Sequence, residues 1–528
     1  MPLVPIKQFQ APRLAAAAQV SGLGVAPAPV GGLNYRDPIN EMPPTDAMVL
    51  DNFIPRRTGV SLRKGWEYHT SAIAADIESL FSYNGATLAK NKLFAASNGA
   101  IYDVTTGTPS VSQASTGSTE DIWITTQFSN SAGTYLLAVS PGAGYWTYDG
   151  TSWTQQTITN LPANPTSVAV WKNRVWFTAD NDSSVYYLGS VDAITGSATE
   201  FVMGPLLRNG GFVRAIVNWT LDAGVGVDDY LVVIGSEGDV GVWQGTDPTS
   251  VATFGLKGVW YIGPVPKYGR FFTSYGGDVM VLSALGIVPM SRLVNGQFVE
   301  GALGVADKIE TQLTELVGDL KDEKSWDILL VPDTNILLIK PPPENNIYTQ
   351  YAMSVSTGAW CTFSNMPMAC TAVLGGQFYF GTDSKTVARG FYGESDSVST
   401  AGTGGSAVQG EMQTAFSPFG SPGQLKKFNM VRPIFIASQS PSYKAQINTQ
   451  YTFTGVYGSP PFIEGTVAEW DVSKWDLAAW SQAANTYQSW SGVTGLGYYG
   501  ALKMRVKGVG GSTTFSSYHV LSEIGGVM

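Results

Sequence analysis

The sequence predicts an all-β protein built around a β-propeller of about six or seven degenerate blades. Three observations lead there. Only 14% of residues are charged while 12% are aromatic, with 60 glycines and 29 prolines, which suits strands and tight turns better than helices. An apolar run, a Gly- or Asp-containing turn and a second run carrying Tyr or Trp recur as hairpins along the chain. Successive copies begin roughly 40 to 58 residues apart, the interval of a four-stranded blade. At 528 residues the chain exceeds one compact core, which a ring of blades or several domains accommodates.

Taken in order, residues 1–30 are rich in Ala, Pro, Val and Gly without periodicity and read as a flexible N-terminal arm. Residues 31–70 form a Pro/Gly-rich docking segment, with a first short strand expected at 59–63. The propeller is expected over 71–395. Its hairpins are read at 93–104, 136–150, 175–188, 231–243, 279–290, 337–348 and 378–391. A lone blade exposes its faces, and closing a ring buries them against neighbours. A small inserted helix is expected over 306–322, where Ile309, Leu313, Leu316, Val317 and Leu320 share one face. Residues 396–410 read as a Ser/Gly linker or loop, and 411–528 as a separate C-terminal β module. Within that module Trp470, Trp475 and Trp480 recur at a spacing of five, which matches neither helix nor strand. They read as irregular loop packing or as a contact surface for another subunit.

The chemistry-bearing residues are few. The chain holds 2 histidines and 2 cysteines, with no nucleophile elbow, phosphate loop, dinucleotide fingerprint or zinc-ligand spacing. Neither an enzyme nor a cofactor is predicted. Cys361 and Cys370 are expected to be reduced thiols. The formal charge of −10 disfavours tight nucleic-acid binding, and no apolar run is long enough for a membrane span. Tyr148-Asp149-Gly150-Thr151-Ser152-Trp153 looks like a degenerate sialidase-type Asp box. There Asp149 is expected to cap its own turn, a mark of a blade and not of catalysis. Glycan binding or cleavage remains an alternative.

Two stretches carry a family resemblance. The first holds Gly31-Gly32-Leu33-Asn34, Asp37-Pro38, Met42-Pro43-Pro44, Asp46-Ala47, Asn52-Phe53-Ile54-Pro55 and Arg63-Lys64-Gly65-Trp66. The second holds Phe416-Ser417-Pro418-Phe419-Gly420 and Lys427 through Pro433, including Arg432. Together they resemble the tail nozzle proteins of short-tailed bacteriophages, also described as tail tubular protein B or packaged-DNA stabilisation proteins. The resemblance implies a homo-hexamer in the virion tail, assembled in the host cytoplasm. It would adjoin an adaptor (head-to-tail connector) protein and tail fibre or plug proteins, and conduct genomic DNA through its lumen. On that reading Asn34, Asp37, Arg63, Trp66, Phe419, Lys427, Arg432, Trp470, Trp475 and Trp480 are candidate docking or interface residues. Removing 1–66 would then abolish docking and leave the propeller folded. A cellular propeller scaffold is the remaining alternative.

Overall fold

The computed structural model describes residues 20–118, 120–222, 227–250, 252–296, 305–456, 458–461 and 484–525. Strands dominate, and most pair with the strand next to them in sequence. The reason is local. In the first sheet Lys92–Ser97 turns back into Ala100–Asp103 through Asn98 (φ 50°) and Gly99 (φ 74°). Two consecutive left-handed residues make the tight turn whose twist matches antiparallel strands, and Asn-Gly is the pair that tolerates it. Lys172 and Asn173 (φ 48° and 55°) do the same between Pro165–Trp171 and Arg174–Ala179.

Five four-stranded sheets, one three-stranded sheet and a four-strand stretch of a larger sheet follow one another around a ring. The first four run from Ser79 to Gln113, Ile124 to Gln156, Pro165 to Val202 and Val213 to Tyr261. The three-stranded sheet, Phe272 to Pro289, comes next, then the sheet from Trp326 to Phe363. The last combines Cys370–Leu374, Gln377–Gly381 and Val387–Gly390 with Trp66–Tyr68, which arrives from before the first blade. That strand closes the ring: Arg389 faces Glu67 and Gly390 faces Trp66. The first strand of the last blade in turn lies against Ser79–Tyr83 of the first. Blade faces are covered on both sides, so Arg174–Ala179 is buried at every position and does not alternate. Its Trp176 lies in one apolar cluster with residues of the next blade, Leu231 and Trp243 among them, while Phe177 packs with Tyr145 of the preceding one at 5.0 Å between ring centres. Each such side chain contributes about 1.5–3 kcal/mol of burial.

The expected hairpins are the two middle strands of the blades, with one correction. The second arm of the 337–348 hairpin is Gln350–Ser354, because Pro341, Pro342 and Pro343 interrupt the ladder after Ile336–Lys340. The inserted helix is Glu310–Leu320, preceded by a single turn at Asp307–Ile309; it buries Leu313 and Val317 against the three-stranded sheet. Asp149 caps its turn as expected, accepting from the Thr151 and Ser152 N–H groups at 2.7 and 2.8 Å. Both cysteines are free and buried, and burial pushes the Cys370 thiol up to about 12.

The remainder is a β-sandwich, and it overturns three boundaries. One sheet joins Val20–Pro27, Phe53–Pro55 and Val60–Leu62 to Lys426–Ala437, Asn485–Gln488, Ser491–Gly497 and Thr514–Ile524. The other joins Gly32–Leu33 and Asp46–Asp51 to Ser406–Thr414, Ser442–Thr449 and Gly500–Gly508. A Cβ on Gly410 would strike Phe53 and Leu62 of the opposite sheet at 2.4 and 2.6 Å, which shows how closely the layers meet. The C-terminal module is therefore not separate; about half its strands come from the N-terminal segment. Residues 20–27, read as part of a flexible arm, form a strand pairing Val20 with Ile524 and Pro27 with Ser517. Residues 1–19 lie outside the described residues. Nor is 396–410 a spacer, since Ser395–Asp396 pairs with Ala407 and Ser406, and Asp396 is buried. The second sheet touches the propeller through the bridge between Asp51 and Thr362.

Candidate functional site

The candidate docking residues of the N-terminal segment are internal fasteners. Asn34 is buried; its Nδ2 donates to Asp37 Oδ2 at 2.8 Å and Asp46 Oδ2 at 2.7 Å, and its Oδ1 accepts from the Arg36 and Asp37 N–H groups. Asp46 is held in turn by Lys308 Nζ at 2.8 Å, and Arg36 pairs with Asp307. This cluster ties the N-terminal segment to the turn before the inserted helix. Arg36 beside it holds the Asp37 carboxyl down at about 2.

Arg63 is fully buried and spends every donor it has. Nη1 and Nη2 meet Asp396 Oδ1 and Oδ2 at 2.6 and 2.8 Å, a two-pronged pair that a flat guanidinium fits. Nε donates to Asn52 Oδ1 at 2.7 Å, and the remaining N–H groups reach the Lys64 and Ser364 carbonyls at 3.0 and 2.9 Å. One side chain thus joins the sandwich, the segment after blade strand Trp360–Phe363, and the loop at 396. Trp66 is buried beside it, donating from Nε1 to Asn365 O at 2.9 Å. Gly65 has no room for a side chain: a Cβ would lie 1.9 Å from Ser395 O. Residues this enclosed contact no partner, so Asn34, Arg63 and Trp66 are withdrawn as interface candidates. Sequence reasoning missed Asp396, because a Ser/Gly-rich stretch gave no sign of a buried carboxylate.

Phe419 is half-buried, with φ 45°, and fills the space left by Gly24 against Phe428 and Tyr518. Lys427 and Arg432 do reach the surface. Lys427 is 63% exposed, 3.7 Å from Glu523. Arg432 donates to His519 Nδ1 at 2.6 Å and lies 4.9 Å over the ring of Trp490. Trp470, Trp475 and Trp480 lie outside the described residues. His69 Nε2 meets the Val104 and Thr105 carbonyls at 3.1 and 3.2 Å.

One concavity lies where the inner strands of the blades begin. A cavity of about 280 Å³ lies between Ile122 and Ile124 of the second blade, Ser167 of the third, Arg214 of the fourth and the segment 267–272. A smaller recess continues past Glu78, Trp123, Lys324 and Lys340. The two recesses share Ile122, Ile124 and Arg270. Their charges alternate: Lys324 faces Glu120 at 3.8 Å, and Arg270 meets Asp327 at 2.8 Å. Lys340 is fully buried, donating to Ala369 O at 2.7 Å and to Ser325, and burial lowers its amine to about 8. Among the described residues no group of three His, Cys, Asp or Glu side chains is placed to hold a metal ion.

No family model matches the sequence, and no curated protein matches it. Among solved structures, the β-propeller domain of Cps50 (Swd1) from Myceliophteria thermophila aligns over 61% of this chain and 98% of its own. The identity there is 12% and the TM-score 0.38. BBS1N, crystallised in complex with ARL6DN, aligns over 44% of this chain and 74% of its own at 15% identity and a TM-score of 0.31. The ring of blades stands on the strand pairing itself.

Proposed function

We propose that this chain is a structural assembly protein without catalytic activity, and that its assembly is the tail nozzle of a short-tailed bacteriophage. The observation that carries the reading is where the two resemblance stretches fall. Residues 31–66 and 416–433, far apart in sequence, supply strands to one sandwich and the fasteners that hold it to the propeller. The resembling motifs are thus one physical unit. On this reading the exposed rim of the sandwich, with Lys427 and Arg432, faces the adaptor or a neighbouring copy. Six copies at −10 each put −60 formal charge around a lumen that DNA slides through without adhering, screened beyond roughly 8–10 Å at physiological salt. Tail fibre or plug proteins would close the far end, and gating would be steric.

The alternative with the same fold is a cellular propeller scaffold, and glycan recognition is a third. Native mass spectrometry of the purified chain, with immunogold microscopy of phage particles from the source, separates them. A hexamer and label confined to the distal tail tube are expected. A monomer with no label on any particle would favour the scaffold, and label on fibres would favour glycan recognition.

A further inference from the structure

Arg214 stands on the wall of the cavity of about 280 Å³ in a condition the fold leaves incomplete. Its side chain is only 13% exposed, and its Nε is buried with no hydrogen-bond partner among the described residues. Its nearest carboxylate oxygen, Asp180 Oδ1, is 4.0 Å away, beyond hydrogen-bond reach, and the other Asp180 oxygen accepts from Asn181 Nδ2. Glu237 and Asp322 add only longer-range attraction. Burial outweighs all of them and lowers the guanidinium's proton affinity, yet an arginine stays charged. Lys267 lies on the same wall, its Nζ 4.8 Å above the ring of Tyr268, where Arg214 repels it. A desolvated cation and a second cation beside it share a cavity whose other surfaces include Ile122, Phe271 and Phe272.

We propose that this cavity binds a carboxylate carried on an apolar body. The carboxylate would take the idle Nε of Arg214 together with an Nη in a two-pronged contact, with Lys267 completing its neutralisation. The carbon skeleton would lie against the isoleucine and phenylalanines. The volume of about 280 Å³ is near the lower end for ligand pockets and exceeds what a bare carboxylate fills. Glu120 and Asp180 line the same cavity and repel a dianion, while Arg270 there is already paired with Asp327, so the monoanion is favoured over phosphate. An acidic side chain in a peptide and a free organic acid share this chemistry. The inference does not depend on the tail reading.

The test titrates the full chain with 3-phenylpropionate, with its neutral amide, and with inorganic phosphate, by calorimetry or ligand-observed NMR. The acid is expected to bind at least about tenfold more tightly than the amide, the worth of one charge-assisted pair. R214Q should reduce the acid to the amide's affinity, and K267Q, a change at a partly exposed position, should weaken it by roughly twofold to fivefold. Equal binding of acid and amide by the wild-type chain would overturn the proposal, and that comparison needs no variant. Phosphate displacing the acid at lower concentration would overturn the ligand class. Comparing Ac-Phe-Glu-Phe-NH2 and Ac-Phe-Gln-Phe-NH2 distinguishes the sources. A glutamate peptide tighter than 3-phenylpropionate points to a protein partner, and the reverse order to a free acid.

Discussion

A blade and the sandwich are both mainly antiparallel β-structure, yet a blade takes its strands from neighbouring sequence and the sandwich from both ends of the chain. In a blade, Trp171 pairs with Arg174 across a two-residue turn. In the sandwich, C-terminal strands pair with one another, but Val20 also pairs with Ile524 and Val60 with Phe515, so the two ends must meet before the sheet is complete. The blades need only short loop closures, whereas these end-to-end ladders must first overcome the entropy of closing almost the whole chain. The two regions are also held differently. Blades adhere through apolar faces such as Phe177 on Tyr145, while the sandwich is fastened by a buried ion pair and its hydrogen bonds.

Removing residues 20–68 tests this contrast most severely. The deletion takes the N-terminal strands of the sandwich and the closing strand Trp66–Tyr68 together, so loss of soluble folded protein is expected by gel filtration and circular dichroism. This revises the expectation that the propeller survives loss of 1–66, since Trp66 belongs to the closing strand. A cooperative melt retained by the truncated chain would show that the ring holds without its closing strand.

Next in size, R63M leaves Asp396 buried without its partner and should cost about 3–5 kcal/mol in denaturant unfolding. R63M/D396L should recover part of that loss. Phe177→Ala in a blade should cost a comparable amount, about 3–5 kcal/mol, through its cavity. Hydrogen exchange distinguishes them: R63M is expected to loosen 406–414 and spare 174–179, and Phe177→Ala the reverse. Identical exchange patterns would mean that the two regions unfold as one unit.

Smaller again is Gly65→Ala, whose Cβ must displace the backbone at Ser395 and should cost about 1–3 kcal/mol. The smallest effect depends on pH. Burial raises the Asp51 carboxyl to about 6, against the opposing hydrogen bonds from Ser364 and Thr362. A carboxyl raised in the folded state contributes stability that is fully present below its ordinary value of 3.8 and is lost as pH rises through 6. D51N should therefore gain on the wild type between pH 4 and pH 7, by about 2–4 °C in Tm. A constant Tm difference across that range would contradict the raised carboxyl.

The blade hairpins were legible because their signals are local. Asn98-Gly99 encodes a turn by itself, and alternating apolar runs on either side encode the strands. The inserted helix was legible for the same reason, through the spacing of Ile309, Leu313 and Val317. The cavity at Arg214 was not, since Ile122, Arg214 and Phe271 are brought together only by the stacking of successive blades. The motif at Arg63-Lys64-Gly65-Trp66 was visible but its role was inverted. The family resemblance implied a docking surface there, whereas Arg63 and Trp66 are buried among partners of the same chain.

By itself, then, the sequence determined the β class, the repeating hairpins and the approximate period, because those depend on turn chemistry and periodicity within a few residues. Tertiary structure alone decided how the ring closes, that both chain ends build one sandwich, and that Asp396 answers Arg63. Those pairings join positions hundreds of residues apart, and no local propensity selects a distant partner. Complementary shape and the cost of burying an unpaired charge select it, and both arise only once the chain has folded.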